Sequence, residues 1–343
     1  MRNLFILLLL SNICTISSQE IDENILLPVL DDVERFAKDY FTPASEAMVY
    51  SLSSGWTNTA KSKELWEFEV GLNTNFAFVS SSDQKFLLDT NNYNTVSFES
   101  GAVSENIATA LGQNNPKIPV ILNIVNPETG GVAEVSLNSP QGVGSNNTDF
   151  VQSGFLQASV GLGKGFEFKA RFLPKVTVKD VDANFFGFGV QNEITNWLKL
   201  KENFPLDISA FAGFSRFNGK YNLNSSEDIS DLTGKIESEV NSWLFSTNFS
   251  TKLKNINFYG SIGYVVGNGE TTTSANGLFS LERSSGTLEA EIFVEPFTVE
   301  SKTSGVRGVI GSFYEYRSFL INLDYAFQKF GTASLGISYK FKV

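Results

Sequence analysis

Glu167, Lys169 and Arg171 occupy alternate positions, so on an extended chain a carboxylate and two cations project from one face. Glu67 and Glu69 repeat the spacing with two carboxylates, and Asp324 stands between Leu323 and Tyr325. Groups of these types could transfer protons, hold an anion or pair with one another. Composition removes most of the catalytic options. The chain has no histidine and its one cysteine is Cys14, which excludes a Ser-His-Asp triad, a Cys-His pair and a histidine metal site. Carboxylate or lysine chemistry stays open, yet the Glu167–Lys169–Arg171 ladder lacks an identifiable partner group. An enzyme is not expected, and no residue pattern implies a cofactor or a metal.

Lysine and arginine total 26 against 37 aspartate and glutamate, a formal net charge of −11, so no nucleic-acid partner is expected. Residues 1–18 read as a secretory signal: Arg2, the apolar run from Leu4 to Leu10, then Thr15, Ser17 and Ser18 before Gln19. Cleavage there removes Cys14 and leaves a chain without thiols.

The elements that must position the charged ladders are β-strands. From Thr332 to Val343, small or polar residues alternate with Ala333, Leu335, Ile337, Tyr339, Phe341 and Val343 without a miss. Phe319, Ile321, Leu323, Tyr325 and Phe327 mark one face of the preceding stretch, with Leu320 the exception on the other. A soluble sandwich would turn such a face inward, whereas a membrane barrel turns it to lipid. Composition favours the barrel, with 31 phenylalanines, 28 glycines and 13% aromatic residues. Loop lengths agree. Traced back from Val343, the short connections at Arg317–Ser318, Arg283–Gly286, Lys254–Asn255 and Gly163–Gly165 fall on one side. The long polar stretches Asn138–Asp149 and Asn218–Glu239 fall on the other, as outer loops do.

Alternating stretches from Gln152 onward number roughly eleven, with Thr272–Leu281 counted apart from Ile256–Val266, and Thr287–Val299 apart from Val306–Tyr316. The stretch from Trp66 to Phe78, and two more near Tyr93–Glu99 and Lys117–Asn126, complete the count. The expectation is an all-β, antiparallel, up-and-down transmembrane barrel of about 14 strands, within roughly 12–16.

Before the strands, Ile25, Val29, Val33, Phe36 and Tyr40 fall at helical spacing, opposite Asp31, Asp32, Glu34, Arg35, Lys38 and Asp39. Thr42-Pro43 is expected to break this helix, with a second short one around Ala44, Ala47 and Met48. The domain plan is a signal segment at 1–18, a helical segment at 19–63 and a barrel at 64–343. A helix of this kind needs a surface to pack on, which favours a plug in the lumen over a periplasmic appendage.

With the aromatic face toward lipid, Glu67, Glu69, Glu167, Lys169, Arg171 and Asp324 face the lumen. They either form a charged constriction or pair to hold the plug, and the mixture of signs suits pairing. Phe155, Phe211, Leu244, Tyr259 and Phe313 face the same way. They either line a path for an apolar ligand or pack against the stripe from Ile25 to Tyr40, and packing is favoured. Asp228, Asp231, Glu237 and Glu239 lack the ligand spacing of a calcium loop, so a solvated outer loop is the better reading.

At the C-terminus, Ser334-x-Gly336-x-x-Tyr339-x-Phe341 resembles the signal that gram-negative assembly machinery reads in outer-membrane barrels, although Lys342 and Val343 follow it here. Gly55-Trp56-Thr57-Asn58-Thr59-Ala60-Lys61, Arg171-Phe172-Leu173-Pro174, Gly187-Phe188-Gly189-Val190-Gln191 with Trp197, and Phe204-Pro205-Leu206-Asp207 are similar to stretches of an uncharacterised family of outer-membrane barrel proteins. The layout, helices before a barrel of this length, is similar to the long-chain fatty-acid transporter family, without that family's ligand-pocket motif. These resemblances imply residence in the outer membrane of a gram-negative bacterium and contact with its lipid. They also imply handling by periplasmic chaperones and the barrel assembly machinery. Phe341→Asp should then block assembly, while Ser338→Asp, on the lumen face, should be tolerated. The expected function is a plugged transport channel for small apolar or amphipathic molecules, with a small apolar ligand as partner. A structural or surface-interaction barrel acting through its outer loops is the alternative, and an outer-membrane hydrolase a distant third.

Overall fold

The computed structural model describes residues 23–125, 132–142, 144, 149–178, 180–197, 204–226, 229–283 and 286–343. The expected signal segment, 1–18, lies outside the described residues. A single helix, α1 (Glu23–Ser53), leads into β1 (Glu67–Phe78). The chain then forms five short strands, β2 (Lys85–Asp89), β3 (Val96–Phe98), β4 (Ser104–Ala108), β5 (Pro119–Val125) and β6 (Val132–Asn138). It continues as β7 (Phe150–Gly163), β8 (Phe166–Val178), β9 (Val181–Glu193), β10 (Leu206–Ser226) and β11 (Ile229–Thr251). The last four are β12 (Ile256–Arg283), β13 (Gly286–Tyr316), β14 (Phe319–Phe327) and β15 (Thr332–Lys342). β1 and β7 to β15 close into one antiparallel barrel, with β1 zipped to β15 from Glu67↔Lys342 to Ala77↔Thr332.

The barrel therefore has ten strands, not the fourteen that alternation suggests. One cause is the stretch between β1 and β7. Strands do form near Tyr93–Glu99 and Lys117–Asn126, but β2 pairs with β4 and β5 pairs with β3 and β6, outside the ring. The other cause is that β12 and β13 run unbroken for 28 and 31 residues, through stretches that read as turns. Gly267, Gly269 and Gly305 do not turn the chain there. A Cβ at these positions would stand 2.5 Å from Val49 Cγ1, 2.7 Å from Ser45 Cβ and 2.5 Å from Tyr50 Oη. They are glycines because α1 lies against them.

Outward side chains of the ring make an exposed apolar belt that includes Leu72, Phe172, Phe188, Ile262, Ile310, Leu323 and Ile337. On β12 the exposed apolar residues run from Ile256 to Val266, and on β13 from Val306 to Tyr316. Past that belt the regular apolar-outward alternation gives way to polar stretches such as Gly267–Ser274, while the ladder continues. The same holds for Asn218–Glu239. It is not a loop, because β10 and β11 pair from Asn218↔Glu239 to Ser226↔Ile229. The connection at Arg283–Gly286 consequently falls at the end opposite Lys254–Asn255, not beside it.

α1 is likewise one helix, continuous through Pro28 and Pro43. Thr42 Oγ1 donates to the Lys38 carbonyl at 2.6 Å, beside the site where Pro43 removes a donor. Packing along both halves outweighs the roughly 3 kcal/mol that an internal proline costs. Among the described residues no helix is long and apolar enough to cross a membrane.

Candidate functional site

The two halves of α1 bury different surfaces. Val29, Val33, Phe36 and Tyr40 pack among Leu88, Val96, Phe98, Ile107, Val120 and Leu122 of the short strands, so this stripe does not cover the lumen aromatics as expected. Burial pushes the Tyr40 hydroxyl well above the usual phenol range. Asp32, assigned by spacing to the solvent face, is buried and anchors the contact. It accepts from Thr95 N at 2.7 Å, Thr95 Oγ1 at 2.8 Å and Asn94 N at 2.9 Å.

The second half of α1 supplies the cover instead. Ala47, Val49, Tyr50, Leu52 and Trp56 are buried with Phe155, Phe185, Phe211, Leu244 and Phe330. The last carbonyls of a helix lack internal partners and carry partial negative charge. α1 has no basic residue in its last turn, and the strands provide the cations. Arg171 donates Nη1 to Leu52 O at 3.2 Å and Nη2 to Ser54 O at 2.9 Å, while Arg307 Nη1 reaches Ser53 O at 2.6 Å. Asn75 Nδ2 adds Ser51 O at 2.8 Å. The Arg171 guanidinium lies 3.7 Å from the Trp56 ring centroid and 4.3 Å from that of Phe155, so its charge is covered by ring faces.

Gly55, at φ +69°, ends the helix, and a Cβ there would meet Asn75 Oδ1 at 2.9 Å. The chain then descends without regular structure to β1, bonded to inward-facing side chains along the way. Gln191 Nε2 donates to Thr59 O at 3.1 Å, Ala60 N to Ser250 Oγ at 3.0 Å, and Ser62 N to Glu193 Oε2 at 3.0 Å. Trp56 packs on Phe211 with centroids 5.3 Å apart.

At the lower end Lys63 enters a buried charge network. Its Nζ lies 2.9 Å from Glu69 Oε2 and 3.0 Å from Glu167 Oε1, and Lys169 Nζ lies 2.8 Å from the same Glu167 oxygen. The Lys63 backbone N–H donates to Glu167 Oε2 at 3.1 Å, and Ser338 Oγ donates to Glu69 Oε1 at 2.8 Å. Two cations meet two carboxylates here, each with a partner, which is an arrangement for fixing a segment in place.

The ladder residues Glu69, Glu167, Lys169 and Arg171 thus converge on residues 52–63. Glu67 does not join them. It lies half-buried at the rim, accepting from Glu64 N at 2.9 Å. Phe155 and Phe211 reach the segment, whereas Tyr259 packs with Phe313 and Leu320 and donates at 2.8 Å to Oδ2 of Asp324, which lines a small cavity with Ser53 and Trp56. Tyr339 and Phe341 point outward, and Ser334 is buried inward. Gly336 sits where a Cβ would come within 2.4 Å of Asn73 Oδ1 and of Asn322 Oδ1. Ser338 donates to Glu69, so Ser338→Asp would set a second carboxylate against the Glu69 carboxylate.

Sequence reasoning missed Lys63, Trp56, Asn75 and Arg307 as contributors. The inward position of Arg307 is legible in the alternation of Val306, Gly308 and Ile310, but Lys63 lies where no period exists. Cavities of about 10 Å³ flank the segment, one against Asn58, Glu69 and Ser159 and another against Trp56, Arg307 and Asp324, each sized for about one water. An open polar cleft of about 400 Å³ lies at the far end, among Lys175, Asp182, Asn218, Lys220, Glu237 and Glu270. Among the described residues no cluster of acidic, histidine or cysteine side chains is grouped to hold a metal.

Solved structures similar to the chain include the translocator domain of the autotransporter NalP from Neisseria meningitidis, at 9% identity and TM-score 0.33 over 90% of this chain and 99% of that one. The attachment invasion locus protein Ail of Yersinia pestis matches at 10% identity and TM-score 0.28, over 81% and 99%. A Pseudomonas aeruginosa FadL homologue matches at 9% and 0.23, over 80% and 90%. Similarity at that level bears on neither activity nor ligand. No curated protein matches the sequence. A family model covers residues 1–341, and the chain belongs to the Family of unknown function (DUF6588).

Proposed function

We propose that the protein is a gram-negative outer-membrane β-barrel whose lumen is plugged by its own residues 47–66, and which acts through its outer face. The exposed apolar belt supports the membrane assignment, because such a surface is far larger than the apolar patches a soluble monomer leaves in water. The observation that carries the plug is the set of bonds from residues 51–63 to inward-facing Asn75, Arg171, Gln191, Ser250, Glu167 and Arg307, side chains drawn from strands all round the ring. On this reading Glu69, Glu167, Lys169 and Arg171 hold the plug, and outer-membrane lipid is the constant partner. Assembly would pass through periplasmic chaperones and the barrel machinery, with Tyr339 and Phe341 as its signal.

Transport of small apolar or amphipathic molecules is the second reading. Residues 54–66 are held largely by polar contacts, so their displacement would open a path past Phe155 and Phe211. The test is cell fractionation, with detergent extraction and comparison of boiled and unboiled protein on a gel. An outer-membrane fraction with a heat-dependent shift supports the reading. Recovery as soluble protein without that shift would refute it.

A further inference from the structure

We infer that the chain threads its own barrel from outside to inside, so that the Glu23–Tyr40 half of α1 is part of the outer surface. This rests on the outer-membrane reading above; the direction of the thread is an additional claim. Contacts order the segment along the barrel. Its lower end is fixed by Trp66 N donating to Gly161 O at 3.0 Å and by Ser62 Oγ donating to Gly165 O at 2.7 Å, both beside the tight β7–β8 turn. That turn lies at the same end as Lys254–Asn255 and the C-terminal residues of β15, an end whose connections are short except for the link between Glu193 and Leu206. Moving toward the N-terminus, Tyr50 packs on Phe330, in the β14–β15 turn at the opposite end, and Lys329 of the same turn pairs with Glu46. Farther still, Ala110 N donates to Tyr40 O at 2.9 Å and Phe36 packs on Phe86, both in the insertion between β1 and β7. The progression does not reverse.

Barrels keep short turns on the periplasmic side and longer structure outside. The 79–149 insertion and the extended β10–β13 ribbon therefore mark the outer end, and α1 points its N-terminal half into them. Length agrees. A helix of 31 residues is about 46 Å long, against an apolar belt about 25 Å tall. Val49 and Ser45 already lie against Gly267 and Gly269, past the exposed apolar run of β12 that ends at Val266, so the part of the helix N-terminal to them stands beyond the belt. The insertion closes over that protruding half through the Asp32 bonds, so the outer face is a composite of insertion and helix.

The test labels single cysteines in a Cys14→Ser background on intact cells with a membrane-impermeant maleimide, before and after outer-membrane permeabilisation, reading only the heat-shifted folded band. Glu34→Cys and Asp31→Cys, both exposed, report the helix, and Lys254→Cys reports the opposite end. The expected result is labelling at 31 and 34 on intact cells, and at 254 only after permeabilisation. Labelling at 31 and 34 only after permeabilisation overturns the inference while leaving the folded membrane barrel intact. Loss of the heat-shifted, membrane-extracted band from the unsubstituted protein would instead remove the outer-membrane reading itself.

Discussion

Lys63 grips both oxygens of Glu167, its backbone N–H on Oε2 at 3.1 Å and its Nζ on Oε1 at 3.0 Å, although 104 residues separate them. One side chain of β8 thereby fixes both the position and the charge of the segment that descends through the barrel. Removing one partner of a buried ion network strands the others, at a cost of about 3–5 kcal/mol. Glu167→Gln should therefore lower the temperature at which the unboiled gel band converts to the unfolded form. Pairing it with Lys169→Met, which removes one of the stranded cations, should restore part of the loss. An unchanged conversion temperature in Glu167→Gln would contradict the network's role.

The glycine at 305 reports the helix directly. A methyl group there meets Tyr50 Oη at 2.5 Å and nothing else closer than 3.6 Å. Overpacking of this kind costs about 1–3 kcal/mol. Gly305→Ala should destabilise the barrel, and the same change in a Tyr50→Phe background should cost much less. An equal cost in both backgrounds, measured by denaturant titration of fluorescence, would mean that Tyr50 is not seated over β13.

Outward residues should divide by height. Leu323 lies in the belt and Thr298 on the extension of β13, both exposed. Arginine at mid-bilayer on a lipid face costs about 2–4 kcal/mol and little outside it. Leu323→Arg should reduce the amount of assembled barrel, and Thr298→Arg should leave it near the unsubstituted level. Similar yields in a membrane-fraction immunoblot would place the belt elsewhere.

Much of this was legible from residue types. Alternation on β14 and β15 assigned each side chain to the correct face, Leu320 included, and the mixed signs of Glu167, Lys169 and Arg171 suited pairing. What misled the strand count was a cue with two physical causes. Gly267, Gly269 and Gly305 look like turn residues, yet they are small because α1 presses on them, a contact made by residues more than two hundred positions earlier. Pro43 misled in the same way, since local propensity at 43 is overridden by packing at both Tyr40 and Ala47. Lys63 carried no local signal, because an irregular segment has no period to break.

Asp32 should govern the outer insertion without affecting the ring. It accepts bonds from Asn94 and Thr95, and hydrogen bonds to a charged group contribute about 1.5–3 kcal/mol each. Asp32→Ala should make residues 79–149 sensitive to added protease while the heat-shifted barrel band persists. Protease resistance equal to the unsubstituted protein would show that the helix does not anchor the insertion.

The central claim is that residues 47–66 close the lumen, and planar-bilayer conductance of the purified, heat-modifiable protein tests it most directly. The intact chain should pass almost no steady current, and a folded variant lacking residues 23–63 should show discrete ion-conducting steps. A stable open conductance from the intact chain, or identical traces from the two proteins, would contradict it.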